Sequence, residues 1–119
     1  MTGDILTVST DARDHVTVLV LEGEVDAYSV GQLDSALARA AQRKVPVIID
    51  VSGLGYIDSS AFRAIYRASE HIPVSIVVPA SSVLSRTIRL AGISAKIPIL
   101  PDIDSASAQA ADPETGTRP

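Results

Sequence analysis

Two hydroxyls and a carboxylate stand together at Asp58-Ser59-Ser60. A serine in such a cluster has three chemical uses. Beside a histidine base it is a nucleophile. Beside several carboxylates it helps hold a hard cation. At a helix start it caps backbone N–H groups, or it receives a phosphate that those N–H groups and the helix dipole favour. What surrounds the cluster decides among these.

The elements that must position it are legible on either side. Before it runs Val45-Pro46-Val47-Ile48-Ile49-Asp50-Val51, with the length and β-branching of a buried strand, followed by a short Ser52-to-Ile57 passage. After it, Asp58 to Glu70 reads as an amphipathic helix, with Phe62, Ile65 and Tyr66 inward and Arg63, Arg67 and Glu70 outward. Upstream, Ile5–Thr10 and His15–Leu21 are two strands joined by the short polar turn Asp11–Asp14, and so short a connection makes an antiparallel hairpin. Ser29-Val30-Gly31-Gln32 has the form of a capping box opening a helix with Val30, Leu33 and Leu37 on one face. Pro73–Val78 is a fourth strand, and Pro79-Ala80-Ser81-Ser82 caps a third helix with Val83, Leu84, Ile88 and Ala91 as its apolar positions, closed by Gly92. Lys96–Pro101 is an edge strand or an extended segment because its prolines cannot donate ladder hydrogen bonds, and Ser105–Ala111 a weak last helix.

The order is β-β-α-β-α-β-α-β-α. That predicts an α/β domain with a mixed sheet of about five strands, an N-terminal antiparallel hairpin followed by parallel βα units, and about four helices. The domain is expected to occupy residues 1–111, with 112–119 a disordered tail. The apolar second face of the sheet must be covered by short segments or serve as an interaction surface.

Functional residues of such a sheet gather at the carboxyl ends of the parallel strands. That rim carries Glu24, Asp26 and Tyr28, then Asp58, Ser59 and Ser60, then Ser81 and Ser82, and finally Asp102 and Asp104. No basic strand end and no glycine-rich phosphate loop is present for nucleotide binding. The histidines, His15 and His71, fall at the opposite end of the sheet from Ser60. Asp26, Asp58 and Asp102 lack a companion ligand pattern, so neither a metal nor another cofactor is expected, and neither is catalysis. Tyr28 and Tyr56 are expected as rim packing.

The totals agree with a small interaction domain. The chain has 119 residues, enough for one core, of which 46% are hydrophobic and only 3% aromatic. Absence of cysteine removes disulfides and thiol chemistry. A net charge of −4 gives no overall pull toward nucleic acid or anionic membrane. With no signal-peptide pattern at Met1-Thr2-Gly3-Asp4 and no membrane-length apolar run, a cytoplasmic location is expected.

Gly23-Glu24-Val25-Asp26, the run Ile48-Ile49-Asp50-Val51-Ser52-Gly53-Leu54-Gly55-Tyr56-Ile57-Asp58-Ser59-Ser60 and Leu90-Ala91-Gly92-Ile93 together resemble the bacterial anti-sigma factor antagonists, single STAS domains. The resemblance covers about Ile5 to Ala110. It implies a protein that binds an anti-sigma factor with serine kinase activity, frees a sigma factor, is released by phosphorylation and is restored by a phosphatase. By the same resemblance the acceptor is Ser60, with Ser59 as the fallback, and Asp26, Asp58, Ser59, Ala61, Phe62 and Arg63 belong to the partner-binding surface. The family usually has Gly-Leu-Gly after its acceptor; here Ala61-Phe62-Arg63 add side chains where a partner's backbone approaches. Arg63, one helical step from Ser60, is also placed to pair a phosphate. The alternative implied by that departure is a STAS module not regulated at Ser60, acting constitutively or sensing a ligand.

Overall fold

The structure, a computed structural model, describes residues 5–111; the expected tail at 112–119 lies outside them. Its strands are β1 (Thr7–Ala12), β2 (Thr17–Val25), β3 (Val47–Ile57), β4 (Val74–Val77) and β5 (Ile99–Leu100), and its helices α1 (Val30–Ala41), α2 (Ser59–Ser69), α3 (Val83–Leu90) and α4 (Ile103–Ala111). The strands lie in sequence order in one sheet, with β1 antiparallel to β2 and every later pair parallel. The expected order and mixed pairing are both found.

Strict alternation along the strands gives the sheet two apolar faces. Leu19 and Leu21 of β2, Val47, Ile49 and Val51 of β3, and Ile76 of β4 point to the larger core, which α1, α2 and α3 close with Leu33, Leu37, Ile65 and Ile88. Val16, Val18, Ile48 and Val77 point the other way, where Ala106, Ile103 and Ala110 of α4 cover them. The second face is therefore covered by one short helix, two residues longer at its start than the sequence suggests. Asp102 makes the difference: its carboxylate accepts the Ser105 N–H at 2.7 Å, so the chain turns helical before Ser105.

Three strands run past their expected ends: β1 takes in Asp11 and Ala12 of the expected turn, and β2 and β3 together build the rim. β2 continues from Leu21 to Val25, and the Ser52-to-Ile57 passage is not a connector but the second half of β3. The pairing Val20↔Asp50 becomes Glu22↔Gly53 and then Glu24↔Tyr56, so β3 carries one extra residue at each of two bulges. Those extra residues hide the strand from a period-two reading, although Leu54 and Ile57 are buried. Gly23 has φ +100°, and a Cβ there would stand 2.2 Å from the Ile5 carbonyl oxygen. Only glycine lets β2 pass that point.

Several helix details also depart from expectation. Ser29 makes no side-chain cap of α1; its hydroxyl turns back to the β2–α1 loop. In α2 the buried stripe is Ala61, Ala64 and Ile65, while Tyr66 is exposed and Phe62 only partly covered. The small residues let the helix sit close to the sheet, and that rotates the aromatics toward its margin. In α3 the buried residues are Ser85 and Ile88, with Val83 and Ala91 exposed. The end of α1 is pinned to the hairpin by Arg43, which donates to Thr17 Oγ1 (2.7 Å), Val16 O (3.1 Å) and Arg13 O (2.7 Å). Thr17 is fully buried, so this contact satisfies a hydroxyl that would otherwise cost about 1–3 kcal/mol.

Candidate functional site

Register places the candidate site. Val25 is paired with Ile57 at the carboxyl ends of β2 and β3. The next residue on each strand is an aspartate, so Asp26 and Asp58 leave the sheet from paired positions on one rim.

Asp58 is the N-cap of α2. Its Oδ1 accepts both the Ser60 backbone N–H at 3.0 Å and the Ser60 hydroxyl at 2.5 Å. A charged acceptor shared in this way fixes the Ser60 rotamer and holds the hydroxyl in the first helical turn. Ser60 is partly buried, whereas Ser59 is exposed. Asp26 does parallel work one strand away. Its Oδ1 accepts the N–H groups of Tyr28 (2.9 Å) and Ser29 (3.0 Å) and faces the Ser29 hydroxyl at 3.1 Å, while Ser29 Oγ accepts the Asp26 N–H at 3.0 Å. The sequence reading gave the cap of α1 to Ser29. Asp26, three residues earlier and already at the strand end, takes the loop donors first.

Of the remaining partner-surface candidates, Ala61 is buried against the core, Phe62 is partly covered, and Arg63 is exposed. Tyr28 is 99% exposed and does not pack the rim as expected, whereas Tyr56, 48% exposed, is about half covered. Both stand beside the acidic pair, Tyr28 in the Asp26 loop and Tyr56 on the projecting end of β3. Polar-tipped aromatics left in solvent at a strand-end rim have the composition of an interface anchor. A hollow of about 390 Å3 completes the rim, between β3 and α3, lined by Leu54, Tyr56, Ile57, Ser82, Val83 and Leu84.

Chemically the rim is a receiving surface. The hydrogen-bond partner of the Ser60 hydroxyl is a carboxylate that also caps the helix, and both histidines lie outside the strand-end loops, His15 before β2 and His71 after α2. The Ser105 N–H, and then its hydroxyl, hold the Asp102 carboxyl below its ordinary value. That is a helix-capping effect, away from the Asp26–Asp58 pair. Among the described residues no helix is long and apolar enough to cross a membrane, and no cluster of metal-ligating side chains occurs.

A five-stranded mixed sheet of this order, one antiparallel hairpin followed by parallel strands with four helices, defines a class of small α/β domain. The chain belongs to the STAS domain family, whose model matches residues 7–106. It is 30% identical over 94 residues to the anti-sigma-F factor antagonist RsfB of Mycobacterium tuberculosis, covering 76% of this chain and 77% of that protein. Its fold is similar to the crystal structure of an anti-sigma factor antagonist from Mycobacterium paratuberculosis, with a TM-score of 0.81 at 21% identity, covering 90% of this chain and 95% of the other. The Bacillus cell fate determinant SpoIIAA in its phosphorylated form shares the fold at a TM-score of 0.62 and 16% identity, covering 86% and 98% of the two chains.

Proposed function

We propose that this chain is an anti-sigma factor antagonist, a binding protein rather than an enzyme, that engages an anti-sigma factor through the Asp26–Asp58 rim and is switched by phosphorylation of Ser60. The observation that carries the reading is the Ser60 hydroxyl held by Asp58 at the first turn of α2, beside the paired position of Asp26. The similarity to RsfB supports the partner class.

The switch follows from charge. Phosphate on Ser60 Oγ removes the proton now donated to Asp58 and adds close to two negative charges. Asp58, and Asp26 on the same rim, then oppose it by like charge, while the positive end of the helix dipole favours it. The phosphate therefore reorganises the rim without requiring the sheet to move. Arg63, an exposed side chain one turn along α2, is the nearest cation in sequence for the new group. The phosphoryl group comes from ATP, transferred by a serine kinase activity of the anti-sigma factor with ADP as the leaving group, and a phosphatase resets the rim by hydrolysis.

The experiment is to incubate the chain with anti-sigma factor kinases of its own cell and ATP, then locate phosphate by mass spectrometry. Incorporation at Ser60, lost in Ser60→Ala, is the expected result. Incorporation at the exposed Ser59 instead moves the switch by one residue; incorporation at neither overturns it. A second reading has its own observation. Ser60 is partly buried and bonded to Asp58, which is also the geometry of a purely structural cap. On that reading the antagonist is constitutive, and Ser60→Ala and Ser60→Glu bind the partner equally.

A further inference from the structure

Charge is unevenly divided along this acidic chain. Between Ser59 and Pro101 stand five basic side chains, Arg63, Arg67, Arg86, Arg89 and Lys96, against one acid, Glu70. That stretch carries +4 in a chain whose total is −4, so the remainder carries −8. The ion pairs among the described residues are Arg13–Asp11 and Arg67–Asp34, which leaves Arg63, Arg86, Arg89 and Lys96 without a carboxylate partner there.

Within this basic half lies a groove of about 310 Å3 between α2 and the end of α3. Phe62 and Tyr66 form one wall, Ala91, Gly92 and Ile93 the other, and Arg63 and Lys96 are the two cations of its lining. The Lys96 ammonium lies 5.6 Å from the Tyr66 ring centre, a cation resting on an aromatic face rather than on a carboxylate. Tyr66 is 39% exposed and Leu90, next to the groove wall, 81% exposed. Gly92 has φ +79° with open space where a Cβ would stand, so its backbone borders the groove bare of side chain.

We propose that this groove is a docking site for an acidic polypeptide segment carrying one large apolar side chain, separate from the Asp26–Asp58 rim. The apolar floor takes the side chain, and Arg63 and Lys96 take flanking carboxylates. A partner's own acidic segment is favoured over nucleic acid for a physical reason. A polyanion strand draws affinity from many phosphate contacts, and here two cations line a short groove on a molecule that otherwise repels it. The groove shares Arg63 with the proposed Ser60 switch, so a phosphate on Ser60 competes with the segment's carboxylate for that cation.

The test is an amide-resolved NMR titration of the full chain with a short peptide of glutamates flanking a single phenylalanine. Shifts confined to Phe62–Arg67 and Leu90–Lys96 are expected, weakening as salt rises. Affinity should fall about tenfold or more in the Arg63→Glu/Lys96→Glu double variant, whose changes are confined to the groove's two cations. Tyr66→Ala should weaken the phenylalanine peptide and leave an all-glutamate peptide unchanged. Shifts absent from the groove, or centred on Asp26 and Asp58, overturn the proposal. So does equal or tighter binding of oligothymidylate at the groove, or a salt-sensitive dimer, seen by sedimentation without peptide, that Arg63→Glu abolishes.

Discussion

Asp26 and Asp58 occupy equivalent positions, each the first residue beyond the pair Val25↔Ile57 that ends β2 and β3. Each uses one carboxylate oxygen to organise the loop or helix that follows. The acidic pair thus shapes the rim, and in the proposed switch the same groups are the charges a new phosphate on Ser60 would meet. This dual use separates the roles by experiment.

Replacing Asp58 tests the cap. Asp58→Ala removes the acceptor of the Ser60 N–H and should destabilise the chain by about 1 kcal/mol. Asp58→Asn keeps a side-chain acceptor and should lose less. Urea denaturation of both variants measures the difference, and equal losses would mean that Asp58 contributes through charge alone.

Gly23 tests the passage of β2 beneath the N-terminal segment. Both its φ of +100° and the Ile5 carbonyl at 2.2 Å forbid a side chain. Gly23→Ala should cost more than about 2 kcal/mol, from left-handed strain plus a backbone clash. A midpoint in urea unchanged from the parent would contradict this placement of the chain.

Lys44 tests the opposite case. It follows α1 with φ +58°, a conformation that glycine adopts without strain. Lys44→Gly should stabilise the protein, by about 0.5–1 kcal/mol after the added unfolded-state entropy of glycine is set against the relieved strain. A lower melting temperature in the variant would contradict it.

Asp102 gives the fold an acid-sensitive corner. Its carboxyl is held below the ordinary value of 3.8, so the Ser105 contact stabilises α4 fully above that value and is lost as pH falls through it toward the lowered one. Asp102→Asn keeps an acceptor that does not titrate. In the variant, amide exchange at the start of α4 should lose its rise below about pH 4, measured against the parent.

The architecture was largely legible because each strand and helix carries its own period. The hairpin was readable from its short turn, and the Asp58 cap from three adjacent polar residues after an apolar run. What escaped the sequence depends on neighbours. Ser52 to Ile57 carries two extra residues at bulges, which break alternation exactly where the rim is built, and bulges are visible only against the partner strand. Ser29 matches a capping box, yet Asp26 competes for the same donors from outside the motif. The inward face of α2 was placed on its aromatics, but the sheet selects Ala61, Ala64 and Ile65 because small residues allow closer approach. Tyr28 and Tyr66 were accordingly read as more buried than they are. The acceptor pair Asp58–Ser60 was visible as a motif; its alignment with Asp26 was not, since it rests on the register of β2 against β3.

The central claim is that charge on Ser60 controls a partner that the acidic rim binds. The most direct measurement is the affinity of the anti-sigma factor for the parent chain, Ser60→Ala and Ser60→Glu, by calorimetry under one salt condition. Tight binding by the first two and a loss of tenfold or more in Ser60→Glu is the expected result. Equal affinity across all three would contradict a switch at Ser60.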